Sequence, residues 1–110
     1  MVKVEAILPR ESVEAVIEAV EEQAGHVGVT VVDAVGHGNQ RVVTHAYRGQ
    51  VFESRYMPKA LLVFVVDDES AQQVVDVVLD TLRGGTDEAG VGIVWTTRIE
   101  NVALPAPVDA

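Results

Sequence analysis

Two amphipathic helical patterns, each with a strand pattern on either side, divide this chain into two β-α-β halves. The apolar residues of the helical patterns recur at steps of three and four: Val13, Val16, Ile17, Val20 and Ala24 in residues 11–24, and Val74, Val75, Val78, Leu79 and Leu82 in residues 69–83. The strand patterns cover residues 2–8, 27–35, 60–66 and 92–102, the last with a break predicted near Thr97. The order βαββαβ predicts an α+β, ferredoxin-like fold, in which a four-stranded antiparallel sheet carries both helices on one face.

The residues at the helix ends agree with these boundaries. Glu11 or Ser12 can cap the first helix, and Gly25 can end it, because glycine tolerates the backbone conformations that follow a helix. Asp67 and Asp68 precede the second helix, where carboxylates favour the positive end of the helix dipole.

A sheet with helices on one face only leaves its other face open. Residues 27–35 and 60–66 are apolar on both sides, so a polar, solvated second face does not explain their composition. We expect this face to pack on something, and association with identical chains is the simplest arrangement. Trp95, in the last strand, is expected in the core or at such an interface, because large aromatic side chains dominate burial.

The chain is acidic overall, but its charge is unevenly distributed. It has 110 residues, of which 48% are hydrophobic, and a formal net charge of −9, which predicts one domain and argues against nucleic-acid binding. Residues 36–59 hold four of the eight Lys and Arg residues and a single acid, so this segment carries +3 and the rest of the chain −12. A cationic loop on an acidic body can attract an anionic ligand or partner, or can simply keep a long loop soluble.

The sequence shows no secretory signal and no membrane-spanning segment. Its start alternates and then turns acidic, and its longest apolar run, ALLVFVV, is too short to cross a bilayer. The chain has no cysteine for disulfides, and we expect a cytoplasmic protein.

No recognisable catalytic constellation is visible, and we predict that the protein is not an enzyme. A hydrolase of the acylphosphatase type is the enzymatic alternative on this fold, and no residues support it. His26, His37 and His45 share no metal-ligand spacing. The acidic run 67–69 is better explained by the start of a helix than by a metal site.

A run of short motifs lies between the two halves. GHGNQ occupies residues 36–40, THAYRG residues 44–49, and PK residues 58–59 directly before an apolar strand. In this order and at these spacings the run resembles the PII signal-transduction family, whose members have a Gly-x-Gly-Arg-Gln turn, a Tyr-Arg-Gly loop and Pro-Lys before the third strand. The resemblance extends from residue 1 to about residue 85 and weakens after it.

The resemblance implies a homotrimer with its sheets facing inward and an adenine nucleotide, ATP, ADP or AMP with Mg, in clefts between subunits. It also implies that the long loop, residues 37–57 of a single domain spanning 1–110, responds to nucleotide and 2-oxoglutarate and contacts a target enzyme or transporter. The family regulates chiefly nitrogen assimilation, with relatives in carbon or bicarbonate handling. The proline-rich residues 104–110 are expected to form a flexible tail.

Matched residue by residue, the resemblance assigns roles to individual positions. Ile7 matches a residue that lines the adenine pocket, Gln40 the glutamine that coordinates the Mg of Mg-ATP, and Lys59 the lysine that pairs with 2-oxoglutarate. The resulting ligand-binding residues are Ile7, Gly36, Gly38, Asn39, Gln40, Lys59, Gly90 and Gly92. The resulting partner-binding residues of the loop are Arg41, Tyr47, Arg48, Gly49, Phe52 and Arg55.

The chain also departs from the family pattern. The modifiable tyrosine falls on Phe52, which has no hydroxyl, so uridylylation there is excluded. A lysine of the family's glycine-rich loop falls on Ile93, and two arginines that a neighbouring subunit donates to the phosphates fall on Leu104 and Ala106. Each charge-assisted hydrogen bond contributes about 1.5–3 kcal/mol, so these losses weaken triphosphate binding unless other cations replace them. The candidates for replacement are Arg41, Arg48, Arg83 and Arg98.

Two functions of different classes follow. The first is a PII-like trimeric regulator that senses a small metabolite, an adenylate or a 2-oxoglutarate-like acid, and controls a partner through its loop. The second is a constitutive protein-interaction module that has lost nucleotide binding. Stabilisation by added ligand separates the two hypotheses.

Overall fold

The computed structural model describes residues 1–37, 43–47, 50–54, 56–85 and 92–105, with the backbone alone between 43 and 54. The strands are β1 (Val2–Pro9), β2 (Val29–His37), β3 (Val43–Tyr47), β4 (Gln50–Ser54), β5 (Tyr56–Val66) and β6 (Ile93–Arg98). The helices are α1 (Val13–Ala24) and α2 (Asp68–Gly85), and a 3-10 turn, Arg10–Ser12, joins β1 to α1.

Four strands form one antiparallel sheet in the order β2-β5-β1-β6. β1 pairs with β5 and β6, and β5 also pairs with β2. The helices pack against each other and against one face of this sheet. The predicted ferredoxin-like βαββαβ fold is confirmed.

The hydrophobic core lies between the helices and the sheet. Every second side chain of the two central strands is buried: Val4, Ala6 and Leu8 in β1, and Ala60, Leu62, Phe64 and Val66 in β5. The helices contribute Val16, Val20, Ala71, Val74, Val77, Val78 and Leu82. Val77 is absent from the predicted stripe, because α2 packs on α1 as well as on the sheet and its buried face is therefore wider.

Helix α1 begins without the predicted side-chain cap. Ser12 precedes it with helical backbone angles, φ −90° and ψ −8°, and makes no capping hydrogen bond. The chain enters α1 from a 3-10 turn, so the first helical residues are already wound, and the prediction of a cap by Glu11 or Ser12 is wrong. Gly25 does follow the helix as predicted, at φ 83°, where any other side chain would be strained.

Strands β2 and β5 extend beyond their apolar patterns. Residues 35–37 pair with residues 56–58 past Pro9, where β1 ends. We name this two-stranded extension the ribbon. The ribbon is paired through backbone groups and does not need apolar side chains. The hydrophobic pattern therefore predicted the end of β2 too early, at residue 35, and the start of β5 too late, at residue 60.

The segment between β2 and β5 contains strands of its own. β3 and β4 pair antiparallel as a separate two-stranded sheet, with Val43 opposite Ser54 and Tyr47 opposite Gln50. The sequence predicted an excursion in this place but not its hairpin, because its mixed polar composition has no clear period of two.

The last strand is shorter than its pattern. β6 ends at Arg98, next to the break predicted near Thr97, and residues 99–105 form no helix or strand. The rest of the predicted tail lies outside the described residues. The Ile99 amide donates a hydrogen bond to the Met1 carbonyl oxygen at 3.1 Å, which ties the end of β6 to the start of β1.

The face of the sheet without helices, here named the open face, has its side chains in rows that cross all four strands. One row consists of Val32, Leu61, Ile7 and Ile93, and the next of Thr30, Val63, Glu5 and Trp95. The first row is entirely aliphatic, and its outer members, Val32 and Ile93, are 45% and 58% exposed. The second, apolar face that the sequence predicted is therefore present, and both outer members of its aliphatic row are open to solvent.

Candidate functional site

The candidate site lies where β1 ends and the ribbon begins, with Lys59 at its centre. Pro9, Lys59 and Ala34 lie opposite one another across three strands. Lys59 is 5% exposed and is the only buried charged residue in the described part of the chain. Its ammonium has neither a hydrogen bond nor an ion pair within 4.0 Å there. Burial lowers the pKa of Lys59, and the negative charge of Glu11 partly offsets this effect.

Gly36 makes room for the Lys59 side chain. A Cβ built on Gly36 would lie 2.9 Å from Cγ and 3.2 Å from Cε of Lys59. These distances are shorter than van der Waals contact, so the aliphatic stem of Lys59 lies directly against the Gly36 backbone. The pairing of β2 with β5 thus brings two of the predicted ligand-binding residues together.

A second cation, which the sequence analysis did not single out for this site, lies at the same end of the sheet. Arg10 Nε is 3.4 Å from Asp33 Oδ1, and Arg10 Nη2 donates to the Ala34 carbonyl oxygen at 3.5 Å. Arg10 follows β1, whereas Asp33 and Ala34 belong to the edge strand β2, with β5 between them. In the sequence, Arg10 is only an arginine that follows the end of a strand. No local pattern indicates that β2 lies within reach of its side chain.

Gly92, another predicted ligand-binding residue, is required by packing. A Cβ at Gly92 would lie 2.9 Å from the Ile7 carbonyl oxygen and 2.9 Å from Leu82 Cδ1. The start of β6 therefore fits against β1 and α2 only without a side chain at this position. Ile7, predicted to line an adenine pocket, lies beside Ile93 in the aliphatic row. The ligand contacts of Gly92 and Ile7 stay predictions.

Two positions predicted to lack the family's phosphate-binding cations are apolar and exposed. Ile93 and Leu104 are each 58% exposed. Arg98 lies at the opposite end of β6 from Ile93, paired with Val2, and its role as a replacement cation stays a prediction. Arg83 lies 3.8 Å from Asp80 on the exposed surface of α2.

The remaining predicted site residues are not placed by the structure. Those outside the described residues are Gly38, Asn39, Gln40, Arg41, Arg48, Gly49, Arg55, Gly90 and Ala106. Tyr47 and Phe52 are described as backbone positions, in β3 and β4 respectively. The Mg-ligand role of Gln40 and the partner-binding roles of the loop stay predictions.

Two of the three histidines make local contacts. His26 Nδ1 lies 3.7 Å from Glu21 Oε1, and the His37 ring packs on Tyr56 with the ring centroids 4.9 Å apart. Within the described ranges, His, Asp and Glu side chains form no group of three suited to a metal ion. None of the helices described combines the length and apolar character needed to cross a membrane.

Comparison with known proteins identifies the family. The model of the family "Nitrogen regulatory protein P-II" matches residues 1–104. The chain belongs to the P-II family. P-II proteins are signalling regulators, so the resemblance found in the motifs of the central segment is confirmed. The family match also continues past residue 85, where the motif resemblance weakened.

Individual P-II relatives match along nearly their whole length. The chain is 34% identical over 102 residues to nitrogen regulatory protein P-II 1 of Methanothermobacter thermautotrophicus, covering 93% of this chain and 86% of the relative. It is 32% identical over 102 residues to the P-II protein of Rhizobium meliloti, covering 93% and 88%. It is also 32% identical over 100 residues to the P-II protein of Rhodobacter capsulatus, covering 91% and 87%.

Proposed function

We propose that this P-II chain is a homotrimeric regulator that binds a small anionic metabolite at Lys59 and acts on a target protein through the β3–β4 hairpin. The observation that carries the proposal is the buried Lys59 ammonium, which has no ion-pair partner among the described residues. An unpaired buried charge is costly, and an anion at the ammonium offsets that cost through a charge-assisted hydrogen bond.

The position of Lys59 connects ligand binding to the hairpin. Lys59 lies on β5 at the start of the ribbon, and its stem rests on Gly36 of β2. Farther along the ribbon, His37 and Tyr56 pack ring against ring with centroids 4.9 Å apart. A ligand that moves the Lys59 side chain therefore acts on β2 and β5, the two strands that flank the hairpin in the sequence.

The ligand that these residues suit best is a small dicarboxylate of the 2-oxoglutarate kind. Lys59 provides one buried cation that can pair with a carboxylate, and the nearby Glu11 disfavours a more highly charged ligand. Arg10 lies at the same end of the sheet but is ion-paired with Asp33. ATP, ADP or AMP with Mg is the ligand that the family resemblance implies, and Gln40 would face its metal. The described residues fit a triphosphate poorly, because Ile93 provides no charge.

The same loss of cations favours a second candidate function. A P-II chain that no longer binds nucleotide would contact its target constitutively, with the hairpin as a fixed binding element. In both cases we place the protein in the cytoplasm, acting on an enzyme or transporter of nitrogen or carbon metabolism.

Thermal unfolding and calorimetry with 2-oxoglutarate, ATP, ADP and AMP, each with Mg, test the proposal. A ligand present at about 100 times its Kd adds about 2.7 kcal/mol to the free energy of unfolding. Lys59→Met keeps the apolar stem, removes the charge and should abolish the stabilisation. Arg83→Met removes an exposed cation that is ion-paired with Asp80 on α2, and it is the matched control for 2-oxoglutarate.

The outcomes separate the candidates. Stabilisation by 2-oxoglutarate that disappears in Lys59→Met supports the regulator. Absence of stabilisation by all four ligands favours the constitutive module. A monomeric mass at micromolar concentration contradicts the trimeric assembly in either case.

A further inference from the structure

One polar cluster lies within the apolar surface of the open face. Trp95 Nε1 donates a hydrogen bond to Glu5 Oε1 at 3.2 Å, and Lys3 Nζ lies 3.2 Å from the same oxygen. Trp95 and Glu5 are opposite each other in the β6–β1 pair. We name Lys3, Glu5 and Trp95 the Glu5 cluster.

The Glu5 carboxylate is only half satisfied by these contacts. Both use Oε1, whereas an ionised carboxylate has acceptor positions on both oxygens. Oε2 accepts no hydrogen bond from the described residues, although the Glu5 side chain is 15% exposed. The Lys3 side chain is 39% exposed, and an ammonium has three donors, of which one faces Glu5. The cluster therefore has one acceptor atom and two donors available for a partner.

The charge distribution indicates that a second copy of this chain covers the open face. The two helices and the 3-10 turn carry nine acidic and two basic residues, so copies that met through that side would repel each other. The described charged residues of the open face are Lys3, Glu5 and Lys59. Chains with a net charge of −9 can thus approach each other here at the smallest electrostatic cost.

The aliphatic row by itself cannot fix how two copies meet. Apolar contacts are not directional, and Val32, Leu61, Ile7 and Ile93 offer similar surfaces in several relative orientations. A carboxylate that becomes buried has to be paired, so it penalises every orientation that leaves Oε2 without a donor.

We propose that Glu5 fixes the relative orientation of the copies, by accepting at Oε2 a hydrogen bond from the Lys3 ammonium of a neighbouring copy. The inference rests on the self-assembly stated under Proposed function. Each copy then contributes one donor and one acceptor, and a closed ring of copies satisfies all of them. The cluster selects one arrangement among those that the aliphatic row allows.

Molar masses of matched variants test this inference. Glu5→Gln keeps an acceptor oxygen for Trp95 but places an amide donor where Oε2 was, so we expect more than one species. Glu5→Leu removes the acceptor and leaves the face apolar, so we expect at least two species in sedimentation velocity or light scattering. Lys3→Met removes the proposed donor and should give a similar mixture. Glu14→Leu, on the exposed surface of α1, removes the same charge and should keep the original mass.

The results distinguish the role of Glu5 in orienting the copies from the assembly of the copies itself. A single species of unchanged mass in Glu5→Leu overturns the role of Glu5 even where the unsubstituted protein is a trimer. A monomeric unsubstituted protein overturns both this inference and the proposed assembly. The emission of Trp95, the only tryptophan of the chain, and circular dichroism report whether each variant is folded. If Glu5→Leu does not fold, Lys3→Met decides: a mixture supports the inference and an unchanged mass overturns it.

Discussion

The side chain of Lys59 rests on the backbone of Gly36, and there is no room for a Cβ between them. This contact joins two strands at the point where the sheet narrows to the ribbon. It also keeps a charged group buried in a place where the described residues give it no ion-pair partner. The contact therefore links the candidate ligand site to the strands that carry the hairpin.

Gly36→Ala should displace the Lys59 stem. The new Cβ would lie 2.9 Å from Cγ of Lys59, and Cγ is too close to the β5 backbone to move away freely. We expect a loss of about 1–3 kcal/mol in the free energy of unfolding, measured by chemical denaturation, and weaker binding of the anionic ligand. Gly28→Ala is the control, since nothing lies within 4 Å of its Cβ position. Equal stability of the two variants would contradict the close contact.

The stability of the protein should rise with pH in the alkaline range because of Lys59. Burial holds the pKa of Lys59 in the folded chain below 10.5, the ordinary value for lysine. At pH values between the lowered pKa of folded Lys59 and the ordinary pKa of the unfolded chain, the unfolded chain binds more protons than the folded one. The free energy of unfolding therefore increases with pH across that window. Below the folded pKa both states are protonated and the cost of the buried charge is fully present.

Lys59→Met isolates this effect. The variant removes the buried charge, so we expect a gain on the order of 1 kcal/mol in the free energy of unfolding near neutral pH. The difference in the free energy of unfolding from the unsubstituted protein should shrink as pH rises toward 10.5, the ordinary pKa of lysine. Denaturation curves over a pH series provide the measurement, with Arg83→Met as the control. A constant difference at all pH values would argue against a lowered pKa.

Gly92→Ala should destabilise the fold without the participation of any ligand. Its Cβ would lie 2.9 Å from a backbone oxygen of Ile7 and from Leu82 Cδ1, and the backbone oxygen cannot move without disturbing the β1–β6 pairing. We expect a loss of about 1–3 kcal/mol in ligand-free chemical denaturation. Unchanged stability together with lost ligand affinity would instead assign Gly92 to the ligand site.

The β3–β4 hairpin should exchange its backbone amides much faster than β1 and β5. It is a separate two-stranded sheet, and an isolated hairpin is marginally stable in water, whereas β1 and β5 are paired on both sides and bury alternate residues. Hydrogen exchange followed by mass spectrometry tests this difference. Protection of residues 43–54 equal to that of residues 2–9 in the unliganded protein would contradict it.

The sequence determined the order of the two helices and of the four strands of the main sheet, together with the character of each face of that sheet. Periodicity is a local property, so steps of three and four in Val13–Val20 and alternation in Val2–Leu8 predicted the helix and the strand. The apolar composition of residues 60–66 on both sides predicted the open face. The motifs around Gly36 and Lys59 predicted the family.

Only the tertiary structure decided which distant residues meet. Trp95 and Glu5 lie at opposite ends of the chain, and Arg10 meets Asp33 across an intervening strand. Such contacts depend on strand order and register, which many residues fix together through packing, and no local pattern contains that information. The ribbon follows the same rule, because its pairing through backbone groups leaves no hydrophobic period in the sequence.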